Sequence, residues 1–572
     1  SGAGDYVGGL VGRNSLGDIY NSSVTFTTGS MSLTGYSNVG GLVGKMDYGL
    51  LQDSSVVGIG VQSTTNYAGG LVGANESGAQ IRSSYAKFTN GVIGGGDYIG
   101  GVVGYNNGLV YKSYVDLANV TGDESVGGVV GRNDAGLVQE SYAKATVKVN
   151  GRTDIGGGIG YNVTGTVLSS YAEALLVSGT SDNIGGLVGR NISGPITSSY
   201  AKVTTVSSTA GAKLGGLVGM NGTGLGKIEN CYAETTNITG SAGDYVGGLV
   251  GFNTGGEIKS SYAKSSTAIT GVSSVGGFVG YNGSGYLSPN YADVKGISAS
   301  LDTVGGFVGF TNADSYISKC YAKSSGTIQG TSYIGGFVGY AVAAQIVESY
   351  ALPTTVTGSV DKTGGFVGWL VSSFFANVFV RSSHGTVTGV TEVGGFVGNI
   401  DGGTIINSYA VWNSVTGTGV SIGGHTGVSA NNSNIDNAFS VASVSGASLG
   451  NPPTVGLFIG TLPAAQPAPL IGEILKNVYA DWNVIRTCVD TGTGLDVCNV
   501  NCVNTSGGLE CYNDRILTTL LGTDTGNTYE VETGLLETAD HTNFYYKTNL
   551  PLASWDFTNV WKENTSDYPT LR

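Results

Sequence analysis

Apolar residues come along this chain in short clusters broken by glycine and small polar residues, with no run long enough for a packed helix. The stretch from Ala68 to Asp97 is representative: AGGLVGAN, then ESGAQIRSSYAKFT, then NGVIGGGD. It divides into three short β-type segments separated by Gly, Asn and Ser turns. The pattern recurs. A V/I-G-G-x-V-G motif has its first glycine at Gly8, Gly40, Gly69, Gly100, Gly127, Gly156, Gly185, Gly215, Gly247, Gly276, Gly305, Gly335, Gly364, Gly394, Gly423 and Gly456. A fixed period of about 30 residues signals a solenoid, a propeller or an array. Propeller blades need four strands in a longer period, and helical repeats need runs free of glycine and β-branched residues. The expected fold is therefore all-β: a parallel β-helix (β-solenoid) of about 16 coils of ~30 residues, with three short strands per coil. Corresponding strands would lie about 4.8 Å apart, giving a rod on the order of 75 Å long.

A second repeat fixes the register. Two positions after each Ser-Tyr-Ala-like triplet stands a charged residue, and the series alternates in sign: Lys87, Asp116, Lys144, Glu173, Lys202, Glu234, Lys264, Asp293, Lys323. Residues so far apart in sequence have reason to alternate only if they are spatial neighbours, since opposite charges across a strand pair stabilise and like charges destabilise. Because this row must face solvent, the tyrosines two positions earlier share its outer face: Tyr85, Tyr114, Tyr142, Tyr171, Tyr200, Tyr232, Tyr262, Tyr291, Tyr321 and Tyr350, and later Tyr409. Inward tyrosines would bring a row of charges into the core. The flanking small residues, among them Ser84, Ser113, Ser141, Cys231, Cys320 and Ala86, are expected to point inward. Cys231 and Cys320 should be buried and free.

An asparagine follows the glycine motif at Asn14, Asn75, Asn106, Asn133, Asn162, Asn191, Asn221, Asn253 and Asn282. Asparagine tolerates left-handed turns, and identical amides bond along a stack, so this row reads as a structural turn ladder. Five of these asparagines sit in N-x-S/T sequons, where a bonded amide is a poor glycan acceptor. Asn119, Asn237 and Asn564 are better candidates.

The glycine motif poses a packing question. Adjacent residues such as Leu10 and Val11 cannot both face the core of a regular strand, so one must look outward unless the Gly-Gly pair makes a bulge. From Gly277 onward the motif's leucine becomes Phe278, Phe307, Phe337, Phe366 and Phe396, and the residue after the motif is often aromatic. Tyr281, Phe310, Tyr340 and Trp369, with Phe374 and Phe375 of the run WLVSSFFANVFV, form either an interface stripe or a thicker core.

Composition narrows the function. Glycine supplies 99 of 572 residues against 10 prolines, yet 40% of residues are hydrophobic, enough to bury a core. A net charge of −14 with 12% charged residues argues against nucleic acid or an anionic membrane as partner, and no apolar run is long enough to span a bilayer. The repeat domain is assigned to 1–460 and a C-terminal capping or assembly module to 461–572. That module holds Cys488, Cys498, Cys502 and Cys511, without a C-x-x-C pair or nearby histidines, which fits local disulfides in an oxidising compartment. The opening SGAGDYVGGLVG nearly repeats Ser241 to Gly251, so the chain reads as beginning in mid-repeat, a piece of a longer exported precursor with an unpaired strand edge.

The G-G-[LFV]-V-G, N-x-x-G and S-Y-A elements resemble the GLUG-motif repeats of large bacterial cell-surface proteins, including adhesins and immunoglobulin A-cleaving peptidases. The closing WDFTNVWKENTSDYPTLR is similar to the tail that follows such repeats. The last two coils depart from the pattern, with His425 at the motif's apolar position and Gly456-Leu457 in place of Gly-Gly. The resemblance implies an exported, extracellular β-helical stalk or adhesive surface and names no ligand.

Catalysis is not expected. His384, His425 and His541 lie in no nucleophile arrangement, H-E-x-x-H is absent, and the ladder charges neutralise one another. No cofactor is required, although calcium at acidic turns such as Asp97 or Asp244 is chemically open. Two functions remain: a structural subunit that self-associates into a filament, sheath or stalk, and an adhesin whose tyrosine ladder binds surface glycans or a host or cell-surface protein.

Overall fold

The computed structural model describes residues 4–26, 33–211, 213–222, 226–242, 244–447, 455–456, 458–461, 474–480, 486–489, 504–505, 508–509, 552, 555–564 and 567–572. The chain is an all-β parallel β-solenoid, and among the described residues there is no α-helix. It divides into two compact units, Ser1–Val294 and Lys295–Arg572.

In the first unit one coil runs Ala68–Gly69, Val72–Asn75, Ala79–Arg82 and Tyr85–Gly94, each segment lying on its own sheet face or arm. The next coil repeats it in register, with Ala68 opposite Ile99, Val72 opposite Val103, Ile81 opposite Val110 and Tyr85 opposite Tyr114. Three parallel sheets result. The third is bent into a short arm and a long arm by a residue with left-handed φ, such as Ser83 at 47° or Ser169 at 50°. In most coils a second left-handed residue, such as Tyr98 at 62° or Asn183 at 62°, precedes the return to the first sheet.

The Leu-Val question is resolved at a corner. Leu71 and Val72 are both fully buried, as are Leu42 with Val43 and Val102 with Val103. The bulky pair straddles the bend between the first and second sheets, and the alternation of a straight strand does not apply across a change of direction. The bend is tight enough to require glycine: a Cβ on Gly100 would lie 1.9 Å from the carbonyl oxygen of Val103 in the same coil, and one on Gly101 would lie 2.0 Å from the Gly128 carbonyl of the next. Neither bulge nor outward side chain is needed there. In the first coil Leu10 is exposed.

Small polar rows hold the core edge. Each serine of the inward row donates its hydroxyl to the carbonyl two residues back and accepts the amide N–H of the preceding coil's counterpart. Ser141 Oγ, for example, lies 2.9 Å from Gln139 O and takes the Ser113 N–H at 3.1 Å. Every hydroxyl is thereby satisfied without water. Cys231 sits in this row, buried and free, with Sγ 3.2 Å from Glu229 O, and burial pushes its thiol up to about 12. Cys320 is likewise buried and free in the second unit.

In the second unit the third-sheet strands lengthen to Gln345–Gly358, Phe374–Gly389, Thr404–Gly417 and Asn434–Ala447. Ile474–Ala480 and Arg486–Val489 pair in parallel with this last strand, so the third face continues past residue 461. The core carries a column of stacked rings, Phe307, Phe337, Phe366, Phe396, His425 and Phe458, with centroids 4.7–4.9 Å apart. That spacing is the strand separation itself.

Candidate functional site

The third sheet carries outward columns of tyrosine and charged residues. In the first unit, tyrosine rings from Tyr85 to Tyr262 stack with centroids 4.6–5.2 Å apart and interplanar angles of 12° or less, and Tyr291 extends the column at 4.9 Å. They are half-buried, and burial pushes the Tyr171 hydroxyl up to about 12. Beside them Asp116 lies 3.5 Å from Lys87 and 3.6 Å from Lys144, and Lys202 lies 3.6 Å from Glu234. Glu173 is in register with Lys202, and Glu234 with Lys264. Lysine ammoniums also sit over the rings, Lys264 at 5.0 Å from the Tyr262 centroid. The π faces of the column are thus occupied by neighbouring rings and cations, leaving ring edges and hydroxyls toward solvent.

The asparagine row is a continuous buried amide ladder. From Asn75 to Asn282 each Nδ2 reaches the next Oδ1 at 2.8–2.9 Å. From Asn106 onward the same amides also donate to the carbonyl of the turn glycine, Asn162 to Gly165 at 2.7 Å. The sequons within it are closed to a glycan by burial. In the second unit the row becomes Thr311, Ala341, Leu370, Ile400 and Ser429.

The aromatic stripe is divided. Phe278, Phe307, Phe337, Phe366 and Phe396 are core, and Phe375 is fully buried, which removes it from any interface because its strand parity points it inward beneath Phe366 at 5.9 Å. Phe374, its neighbour, faces out and is 37% exposed. Tyr281 stacks on Phe252 at 4.6 Å, Phe310 on Tyr340 at 5.0 Å, and Tyr340 on Trp369 at 4.6 Å. These rings are half-buried on the outer face of the second sheet.

In the second unit the tyrosine column continues as Tyr321, Tyr350, Phe379, Tyr409 and Phe439, and the charged row beside it turns to Leu352, Arg381, Val411 and Val441. Tyr409 points outward yet is completely buried, because the C-terminal segment lies on it. Trp555, Trp561 and Tyr568 cover the column, Tyr409 donates to Pro569 O at 2.6 Å, and Arg381 pairs with Asp567 at 2.5 Å. The loss of charge at positions 352, 411 and 441 was the sequence signal for this seat.

Other expected groups resolve simply. Cys498, Cys502 and Cys511 lie outside the described residues, as does the side chain of Cys488 and the whole of His541. Among the described residues no three His, Cys, Asp or Glu side chains converge as a metal site. Asp97 Oδ1 accepts the Glu124 N–H at 3.3 Å. His425 is fully buried with Nε2 3.1 Å from Ser408 Oγ and Nδ1 2.9 Å from Thr426 Oγ1, and burial between rings pushes its imidazole down to about 3.

Sequence reasoning missed a cleft of about 490 Å³ on the second sheet's outer face in the first unit. The outward position of V-G-x-N is long in every coil there except one: Arg13, Lys45, Ala74, Tyr105, Arg132, Tyr161, Arg190, Met220, Phe252, Tyr281. Ala74 leaves a notch between Lys45 and Tyr105, with which it is in register. Tyr67 and Tyr98 wall it, their rings 5.2 Å apart and tilted by 34°, and Tyr67 stands edge-on to Tyr105. Lys45 is paired with Glu76 at 2.8 Å, Arg132 with Asp134 at 2.7 Å, and Tyr105 donates to Asp134 at 2.9 Å.

Within this parallel β-solenoid, residues 3–28 and 242–270 match the GLUG motif. Over 159 residues the chain is 33% identical to Halomucin of Haloquadratum walsbyi (strain DSM 16790 / HBSQ001), a match spanning 25% of this chain and 2% of Halomucin. No solved structure matches the chain significantly.

Proposed function

We propose that this chain is a non-enzymatic structural segment of an extracellular cell-surface protein, whose stacked coils associate with further copies into a filament, sheath or stalk. The observation that carries this reading is how side-chain chemistry is used. Amides, hydroxyls, phenol rings and opposite charges are each bonded to their own counterpart one coil away, which stabilises stacking and leaves few convergent reactive groups. The GLUG repeats and the similarity to Halomucin support a surface location. Among the described residues no helix is long and apolar enough to cross a membrane, and the net charge of −14 disfavours nucleic acid as a partner.

Electron microscopy and multi-angle light scattering of the purified chain test the assembly. Ordered polymers that grow with concentration are expected; monodisperse single chains at all concentrations would remove self-association. The adhesin reading through the tyrosine column is disfavoured because its ring faces are already covered. Replacing Tyr171, Tyr200 and Tyr232 with serine should leave retention on a glycan array unchanged, and a loss of retention would restore that reading.

A further inference from the structure

The geometry points to the notch at Ala74 as a binding site for a neutral pyranose residue of a glycan, a function independent of self-assembly. Four observations converge. The cleft, about 490 Å³, falls within the ~300–1,000 Å³ range of small-molecule sites. Tyr98 is held between Tyr67 and the Arg132 guanidinium, 5.3 Å from its centroid, but Tyr67, tilted by 34° to Tyr98 and edge-on to Tyr105, lines the cleft and presents ring surface to the C–H face of a sugar.

Polar groups at the rim suit hydroxyls, which both donate and accept. Asp134 and Glu76 each hold one cation and retain lone pairs, Arg132 and Lys45 keep further N–H donors beyond those spent on the carboxylates, and Tyr105, whose O–H is donated to Asp134, offers an acceptor oxygen. Two cations and two carboxylates balance, so the notch offers no net field to an ionic ligand, and the chemistry selects an uncharged one.

The backbone supplies the fourth observation. Tyr67 and Tyr98 both have φ of 62°, in the left-handed region that a bulky residue enters at a cost. Asn38 and Asn183 occupy the equivalent corner in other coils at 46° and 62°, where asparagine is at ease. Tyr333 takes the same corner at 58° beside the filled row of Tyr340 and Trp369, so a left-handed tyrosine belongs to the corner itself; at Tyr67 and Tyr98 it brings two rings to the one gap in the first unit's outward row.

The test uses the full chain, titrated with a panel of neutral gluco-, galacto- and manno-configured oligosaccharides beside uronate, sialylated and sulfated counterparts. Saturation-transfer NMR and calorimetry provide the readouts. A neutral oligosaccharide should bind with signal from ring C–H protons. Ala74→Tyr, which fills the notch with a residue the row already carries at Tyr105, should weaken binding at least tenfold. Tyr98→Asn should weaken it severalfold while leaving the melting temperature equal or higher, and it carries the test alone if Ala74→Tyr fails to fold. Binding unaffected by the folded variants, binding confined to the anionic arm, or no binding to any neutral saccharide at millimolar concentration would each overturn the assignment.

Discussion

Replacing Asn162 with leucine probes the amide ladder where its geometry is most complete. Asn162 accepts from Asn133 Nδ2 at 2.8 Å and donates to Asn191 Oδ1 at 2.8 Å and to Gly165 O at 2.7 Å, all without solvent. In the leucine variant Asn133 keeps its bond to Gly136 O at 3.0 Å, but Asn191 Oδ1 and Gly165 O lose their donor. An unsatisfied buried acceptor costs about 1–3 kcal/mol, so two give a loss of about 2–6 kcal/mol. Replacing Asn133, Asn162 and Asn191 together should cost less than the three single changes summed, because the amide acceptors at 162 and 191 disappear with their donors. Since the only tryptophans are Trp369, Trp412, Trp482, Trp555 and Trp561, intrinsic tryptophan fluorescence does not see this region. Hydrogen exchange of peptides spanning residues 120–220, followed against urea, does. A single-variant loss below about 0.5 kcal/mol, or strict additivity in the triple variant, would refute the view that the ladder is a coupled network.

His425 is neutral in the fold, its imidazole pushed down to about 3 from an ordinary 6.5, so below pH 6.5 only the unfolded chain takes up a proton there. Stability should therefore fall as pH drops from about 6.5 toward 3, by roughly 3 kcal/mol at pH 4, and His425→Phe should remove that part of the slope in urea midpoints measured at pH 7 and pH 4. Lys202→Glu would align with Glu173 and Glu234 and should destabilise by about 0.5–1 kcal/mol in low salt, with the difference shrinking in 1 M salt. Trp561→Ala should cost about 3–5 kcal/mol and free the C-terminal segment from the Phe379–Tyr409–Phe439 column, seen as faster hydrogen exchange in residues 555–572 with the first unit unchanged.

Much of the fold is legible in one dimension because a solenoid repeats its contacts at a fixed sequence interval. Alternating charge at Lys87, Asp116 and Lys144 is enough to set register, and parity then places the tyrosines outside and the serines, Cys231 and Ala86 inside. The asparagine row was readable for the same reason: its bonds join like to like, one period apart. Where a contact is not one period long, the sequence is silent. Both Leu71 and Val72 face the core because the chain turns a corner between them, and a corner is a property of three dimensions that strand alternation does not encode. Tyr409 has the outward parity of its column but is buried by Trp561 and Tyr568, more than 150 residues away. The Ala74 notch depends on rings leaning in from neighbouring corners. What the sequence alone determined is thus the stack, since nearest-neighbour ladders are written into the period; what the tertiary structure decided is which outward surfaces stay open, since that depends on bends and on a distant segment folding back.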